Sequence, residues 1–167
     1  IMNFLTLILF SVLLSQPNLN VEKVRNQFPE ITSEEQADNF IEELKNDSTP
    51  EARAYTAAMV FMKSRFVKWP FKKMKYFKEG KSILDKTINE NPSNIEIRYI
   101  RFLMQKQIPD FLGYNENVSE DFQVIVKGFK MCNLKPMMKS EILQNMLLTK
   151  DLTSEEHAKL NQLLNQV

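Results

Sequence analysis

Several residue types are scarce in this chain of 167 residues, and each scarcity removes a class of function. The single cysteine, Cys132, rules out an intramolecular disulfide framework and offers no cysteine cluster for a metal ion. The single histidine, His157, stands beside Glu155 and Glu156, without the histidine–carboxylate spacing of a metal site. The three glycines form no glycine-rich loop that could hold phosphate groups. We therefore expect no cofactor and no bound metal, and we expect the protein not to be an enzyme.

The chain also has no excess of either positive or negative charge, because its formal net charge is only +1. This balance gives no general argument for nucleic acid as a partner. The charges are nevertheless unevenly placed. Residues 30–51 contain eight carboxylates against Lys45 alone, and residues 63–86 contain nine basic residues against Glu79 and Asp85.

No segment alternates polar and apolar residues as a strand does, and the seven prolines fall between helical patterns. Thr49 and Pro50, for example, suit the N-cap and the first position of a helix that continues to about Val67. We expect an all-α fold with seven or eight helices in antiparallel hairpins, forming one domain over residues 16–167.

The stretch 92–118, PSNIEIRYIRFLMQKQIPDFLGYNENV, contains the longest constrained pattern. Pro92 suits the first helical position, and Ser93 with Glu96 forms a capping-box pattern. Pro109 is expected to end this helix. Its apolar arc is wide, which predicts a central helix with neighbours on two sides.

Two arginines, Arg98 and Arg101, lie three residues apart on this apolar helix, and Gln105 continues their face. One interpretation is a structural ion pair with Glu120 or Asp121, because a buried arginine needs a carboxylate. The other is a groove that binds an acidic group or a chain carboxylate. In that case the ligand-binding residues are Arg98, Arg101, Gln105 and, at the end of the helix, Tyr114.

The basic segment 63–86 interleaves lysines with aromatic residues and allows three interpretations. It could be a solvated helix face whose aromatic rings point into the core and whose lysines offset the acidic helix. It could bind anionic lipid at a membrane surface, or it could stack on nucleic acid bases. The membrane interpretation uses the residues Lys68, Trp69, Lys72, Lys73 and Lys75.

The apolar run Phe4 to Leu14 has the length of the hydrophobic region of a signal peptide. It is too short to span a bilayer comfortably. We expect residues 1–15 to be a signal peptide and the protein to be exported, periplasmic or secreted. Nucleic acid is then not expected as a partner.

The helices predicted over Thr49–Val67 and Phe71–Asn89, followed by Asn91-Pro92-Ser93-Asn94, resemble a tetratricopeptide-type hairpin. The runs AAMVFMKSRFVKWPFKKMKYFKEGK, NIEIRYIRFLMQ and IPDFLGYN resemble a family of small exported proteins of flavobacterial type. That resemblance implies an exported helical protein and transfers no site.

The sequence thus predicts a non-enzymatic helical binding or scaffold module for a protein or peptide of the cell envelope. The alternative is a peripheral membrane-surface protein that binds anionic lipid through the segment 63–86.

Overall fold

The computed structural model describes residues 19–167, and within them the chain is entirely helical apart from turns and loops. The eight α-helices are α1 (Leu19–Gln27), α2 (Glu34–Leu44), α3 (Pro50–Phe66), α4 (Pro70–Glu90), α5 (Ile95–Gln107), α6 (Val118–Gly128), α7 (Pro136–Leu147) and α8 (Ser154–Leu164), with a short 3₁₀ helix at Asp110–Leu112. The prediction of an all-α array of seven or eight helices in hairpins is confirmed. The predicted signal peptide, residues 1–15, lies outside the described residues.

The helices α3 and α4 form the most extensive helix–helix contact among the described residues, and they approach closely at Gly80. A Cβ added to Gly80 would lie 2.9 Å from the ring of Phe61 and 3.0 Å from the carbonyl oxygen of Ala57. The start of α3 is as predicted, since Thr49 accepts a hydrogen bond from the amide of Ala52 and Pro50 follows it.

The helix α5 lies at the centre of the molecule. Every residue from Ile95 to Gln105 is buried, and α5 contacts α3, α4, α6 and α7. The wide apolar arc of the sequence thus predicted correctly that this helix has neighbours on more than one side.

The predicted start of α5 is too early, by three residues for Pro92 as the first helical residue and by one residue for Ser93 as the N-cap. Asn94 is the N-cap, and its side-chain oxygen accepts a hydrogen bond of 3.2 Å from the amide of Ile97. Pro92 and Ser93 stand before the helix, in the turn that follows α4. Glu96 cannot complete a capping box with Ser93 because its carboxylate is buried in an ion pair with Arg25.

The helices α3, α5 and α7 run in the same direction. Asn94 at the start of α5 donates to Glu51 at the start of α3, and Tyr114 beyond the end of α5 stacks on Phe61 in the last third of α3. Asn145 near the end of α7 donates to Tyr99 of α5, and Lys106 near the end of α5 donates to the carbonyl of Asp151, which follows α7. The array therefore has two ends. One, the Trp69 end, carries the α3–α4 turn; the other, the Leu163 end, carries the last residues of α6 and α8 and the start of α7.

Candidate functional site

The arginines of α5 lie in a buried ion-pair cluster with the start of α6. Asp121 is fully buried, and its Oδ1 accepts hydrogen bonds of 2.7 Å from Nη1 of Arg98 and from Nη2 of Arg101. Its Oδ2 accepts a further bond of 2.7 Å from Nε of Arg101. Arg98 also donates to Glu120 and to the carbonyl of Pro92. Burial is the largest single influence on the pKa of Arg101 and lowers it, but the hydrogen bond to Asp121 and the attraction of the nearby negative charge together leave that pKa raised.

The other two residues predicted for the groove are buried as well. Gln105 is 2% exposed; its Nε2 lies 3.5 Å from the side-chain oxygen of Asn117, and its Oε1 has no hydrogen-bond partner among the described residues. The hydroxyl of Tyr114 donates to Asp85 at 2.7 Å, and the ring stacks on Phe61. Burial, and then the hydrogen bond to Asp85, raise the pKa of Tyr114 well above its ordinary value.

A second ion pair, between the partly exposed Arg25 and the buried Glu96, covers α5 from the side of α1. Arg25 donates from Nε and Nη2 to the two carboxylate oxygens of Glu96, at 2.7 and 3.0 Å. Burial raises the pKa of Glu96, and the bonds from Arg25 oppose that shift. Beside this pair, Phe28 packs edge-on against Tyr55 and Tyr99. The α3 and α5 surface next to Glu96 is therefore occupied by the chain itself.

These contacts confirm the ion-pair interpretation of Arg98 and Arg101 with Glu120 and Asp121. A groove that uses Arg98, Arg101, Gln105 and Tyr114 stays a prediction. The geometry gives it little support, because the two arginine side chains are 7% and 6% exposed and already engage carboxylates.

The second predicted surface is the run of residues 68–75, KWPFKKMK, which we name the basic aromatic turn. Every residue of this run is exposed. Trp69 is 75% exposed, Phe71 is 90% exposed and Met74 is 38% exposed. Lys72 pairs with Glu34 at 2.9 Å. The remaining lysines of the turn have no carboxylate within ion-pairing distance in residues 19–167; they are Lys68, Lys73 and Lys75.

Buried residues hold the basic aromatic turn at both of its ends. Val67 and Tyr76 are buried together with Val60 in a small apolar cluster. The hydroxyl of Tyr76 donates to Glu34 at 2.6 Å, which ties α4 to the start of α2. The exposed aromatic side chains therefore project from a fixed part of the chain, Trp69 from the N-cap of α4 and Phe71 from its first turn.

The aromatic residues of the basic segment divide between core and solvent. Tyr76 and Phe77 pack inward, as the solvated-face interpretation expects, whereas Trp69 and Phe71 do not. The site predicted from the sequence did not include Phe71. Its position on the helix could have indicated that Phe71 is exposed. Phe71 stands nine residues before the inward-facing Gly80, and at 100° per residue this places the two residues on opposite faces of the helix.

His157 lies in the first turn of α8 and contacts the side chain of Asn161, whereas Cys132 is partly buried and donates to the carbonyl of Phe129. In the described part of the chain, histidine, cysteine and acidic side chains form no group of three that could hold a metal ion. None of the helices in residues 19–167 is long and apolar enough to cross a membrane.

Comparisons with protein-family models, with curated proteins and with solved structures found no match, so the site rests on this chain's own residues.

Proposed function

We propose that this protein is a non-enzymatic helical module that binds anionic membrane surfaces through the basic aromatic turn. The observation that carries the proposal is the joint exposure of Trp69 and Phe71 beside Lys68, Lys73 and Lys75. Exposed aromatic residues next to lysines are the combination that suits the headgroup level of a bilayer.

The lysines supply the electrostatic part of the binding. Each basic residue close to an anionic leaflet contributes about 1 kcal/mol, and this attraction falls off within a Debye length. Lys72 contributes less than its neighbours, because Glu34 already pairs with it. Binding should therefore depend steeply on the fraction of anionic lipid and should weaken as salt is added.

The aromatic rings supply the apolar part. Large apolar side chains that are almost fully exposed gain free energy when a headgroup region removes them from water. The anchors Val67 and Tyr76 hold the turn in place, so little conformational entropy is lost on binding.

The peptide-groove function is less well supported than the membrane function. It needs the guanidinium groups of Arg98 and Arg101 to reach a ligand, and both are engaged with Asp121. The expected export belongs to the same proposal, since the anionic surface would then be one of the cell envelope. That expectation is carried by the apolar run of residues 4–14 alone.

The sole tryptophan of the chain provides a direct test, because its fluorescence reports on the turn alone. Vesicles of phosphatidylglycerol and phosphatidylcholine, with and without brominated acyl chains, are titrated into the protein. We expect a blue shift of the Trp69 emission and quenching by the brominated lipid. Both signals should weaken with salt and be absent with pure phosphatidylcholine.

The variant Lys73→Glu/Lys75→Glu should weaken vesicle binding at least about 20-fold, at about 1 kcal/mol for each lost lysine plus the added repulsion. Its matched control is Lys127→Glu/Lys150→Glu, which changes two exposed lysines outside the turn and should bind nearly as the wild type does. Equal loss in both variants would show that net charge alone drives binding. Unchanged Trp69 emission at every lipid ratio would refute the proposal and leave the turn as a surface for a protein partner.

A further inference from the structure

The Leu163 end of the array contains an open cavity of about 380 Å³ between α6, α7 and α8. Its apolar lining includes Phe129, Leu134, Pro136 and Leu163, and its basic lining consists of Lys130 and Lys139. This volume falls in the lower part of the range of roughly 300–1,000 Å³ that is usual for ligand pockets.

The apolar lining of the cavity combines buried and accessible side chains. Phe129 is 2% exposed and Leu163 is 3% exposed, so both belong to the core and present little surface to a ligand. Leu134 is partly exposed and Pro136 is exposed, so these two supply accessible apolar surface to the cavity. A hydrocarbon chain in contact with them would leave water without displacing any core residue.

The charged side chains that line the cavity have one sign. They are Lys130 and Lys139, and neither has a carboxylate within ion-pairing distance in the described part of the chain. The ammonium group of Lys139 lies 5.9 Å from the centre of the Phe129 ring, beside the apolar lining. An anionic group attached to an aliphatic chain would meet both features at once.

We propose that this cavity binds a fatty carboxylate of medium chain length. The alkyl chain contacts Leu134 and Pro136, and the carboxylate contacts Lys130 and Lys139. The proposal is independent of membrane binding, because the cavity lies at the end of the array opposite the basic aromatic turn.

The test uses the full chain with a fluorescent reporter at the cavity, the double variant Trp69→Phe/Gln166→Trp. Gln166 is exposed and lines the cavity, so its replacement should not disturb the core. The reporter is titrated with octanoate, decanoate, dodecanoate and dodecanol below their aggregation concentrations. We expect affinity to rise about three- to fourfold for each added methylene until the cavity is full, since each buried methylene contributes a roughly constant increment.

Dodecanoate should bind at least about tenfold more tightly than dodecanol. The variant Lys130→Ala/Lys139→Ala should remove most of that difference, since each exposed ion pair contributes up to about fivefold. The matched control, Lys127→Ala/Lys150→Ala, and the variant Lys73→Glu/Lys75→Glu should both retain the wild-type affinity. Equal affinity for dodecanol and dodecanoate, or equal loss in the control pair, would overturn the proposal. So would the absence of any fluorescence change with dodecanoate.

Discussion

Asp121→Ala should be among the most destabilising single substitutions in the chain. Asp121 is fully buried and accepts three hydrogen bonds of 2.7 Å from two guanidinium groups. After the change Arg98 keeps Glu120 at 2.7 Å, whereas Arg101 keeps only the longer contacts with Asp85 at 3.7 Å and Glu120 at 4.0 Å. Breaking a buried ion pair on one side costs about 3–5 kcal/mol, because a charge remains buried without its partner. This is a large fraction of the roughly 5–15 kcal/mol that stabilises a typical domain.

The free energy of unfolding can be measured by urea denaturation followed by far-ultraviolet circular dichroism. A triple variant, Arg98→Met/Arg101→Met/Asp121→Leu, separates lost attraction from uncompensated charge. It removes the three central charges together, and buried ion pairs replaced by apolar residues often cost little. We therefore expect the triple variant to be more stable than Asp121→Ala.

Glu120→Gln is the exposed counterpart, because the Glu120 side chain is 54% exposed. It should cost less than about 1 kcal/mol at neutral pH. The hydrogen bond from Arg98 lowers the pKa of Glu120 below its ordinary value of 4.5. A carboxyl group whose pKa is lower in the folded state stabilises the fold at pH values above its unfolded-state pKa, and this contribution is lost as the pH falls through the folded-state pKa. The difference between wild type and Glu120→Gln should therefore vanish in acid.

The reasoning is refuted if Asp121→Ala changes the free energy of unfolding by less than about 1 kcal/mol, the range of an exposed pair. A triple variant less stable than Asp121→Ala would equally contradict it, because the buried charges would then be net stabilising.

Three further substitutions test local packing and capping. Gly80→Ala should destabilise the protein by about 1 kcal/mol. Overpacking against the Phe61 ring and the Ala57 carbonyl costs about 1–3 kcal/mol, whereas the higher helix propensity of alanine stabilises by up to about 1 kcal/mol. If urea denaturation shows a stabilised variant instead, Phe61 moves aside to make room. Asn94→Ala should lower the free energy of unfolding by about 1 kcal/mol and Ser93→Ala should leave it almost unchanged, because Asn94 caps α5. A lower urea midpoint for Ser93→Ala than for Asn94→Ala would instead support the capping box predicted from the sequence.

Most of the fold could be predicted from the sequence because its signals are local. The proline that follows Thr49 fixes the start of α3, and the wide apolar arc of α5 implies neighbours on several sides. The prediction of the start of α5 failed for a non-local reason. Glu96 is recruited by Arg25, which stands 71 residues earlier in the chain, and no spacing rule within the helix contains that contact.

The candidate sites divide in the same way. The sequence allowed both interpretations of Arg98 and Arg101. The choice between them depends on whether α6 packs so that Asp121 contacts the two arginines, and local sequence does not determine that packing. The exposure of Trp69 was equally open, because an aromatic residue beside a helix start can fold inward or outward. Only Phe71 carried a local signal, its phase relative to Gly80.

The position of the two proposed surfaces follows from how this chain uses its charged residues. The central helix α5 is enclosed, and its arginines form ion pairs with Asp121. A ligand could bind these arginines only by replacing Asp121, which would leave a buried charge unpaired. The lysines at the two ends carry no such cost. Lys73 and Lys75 at one end, and Lys130 and Lys139 at the other, lack carboxylate partners within residues 19–167 and stand beside apolar surface. A ligand with an anionic group and an apolar part gains at these ends what α5 cannot offer, namely new contacts that break none of the existing ones.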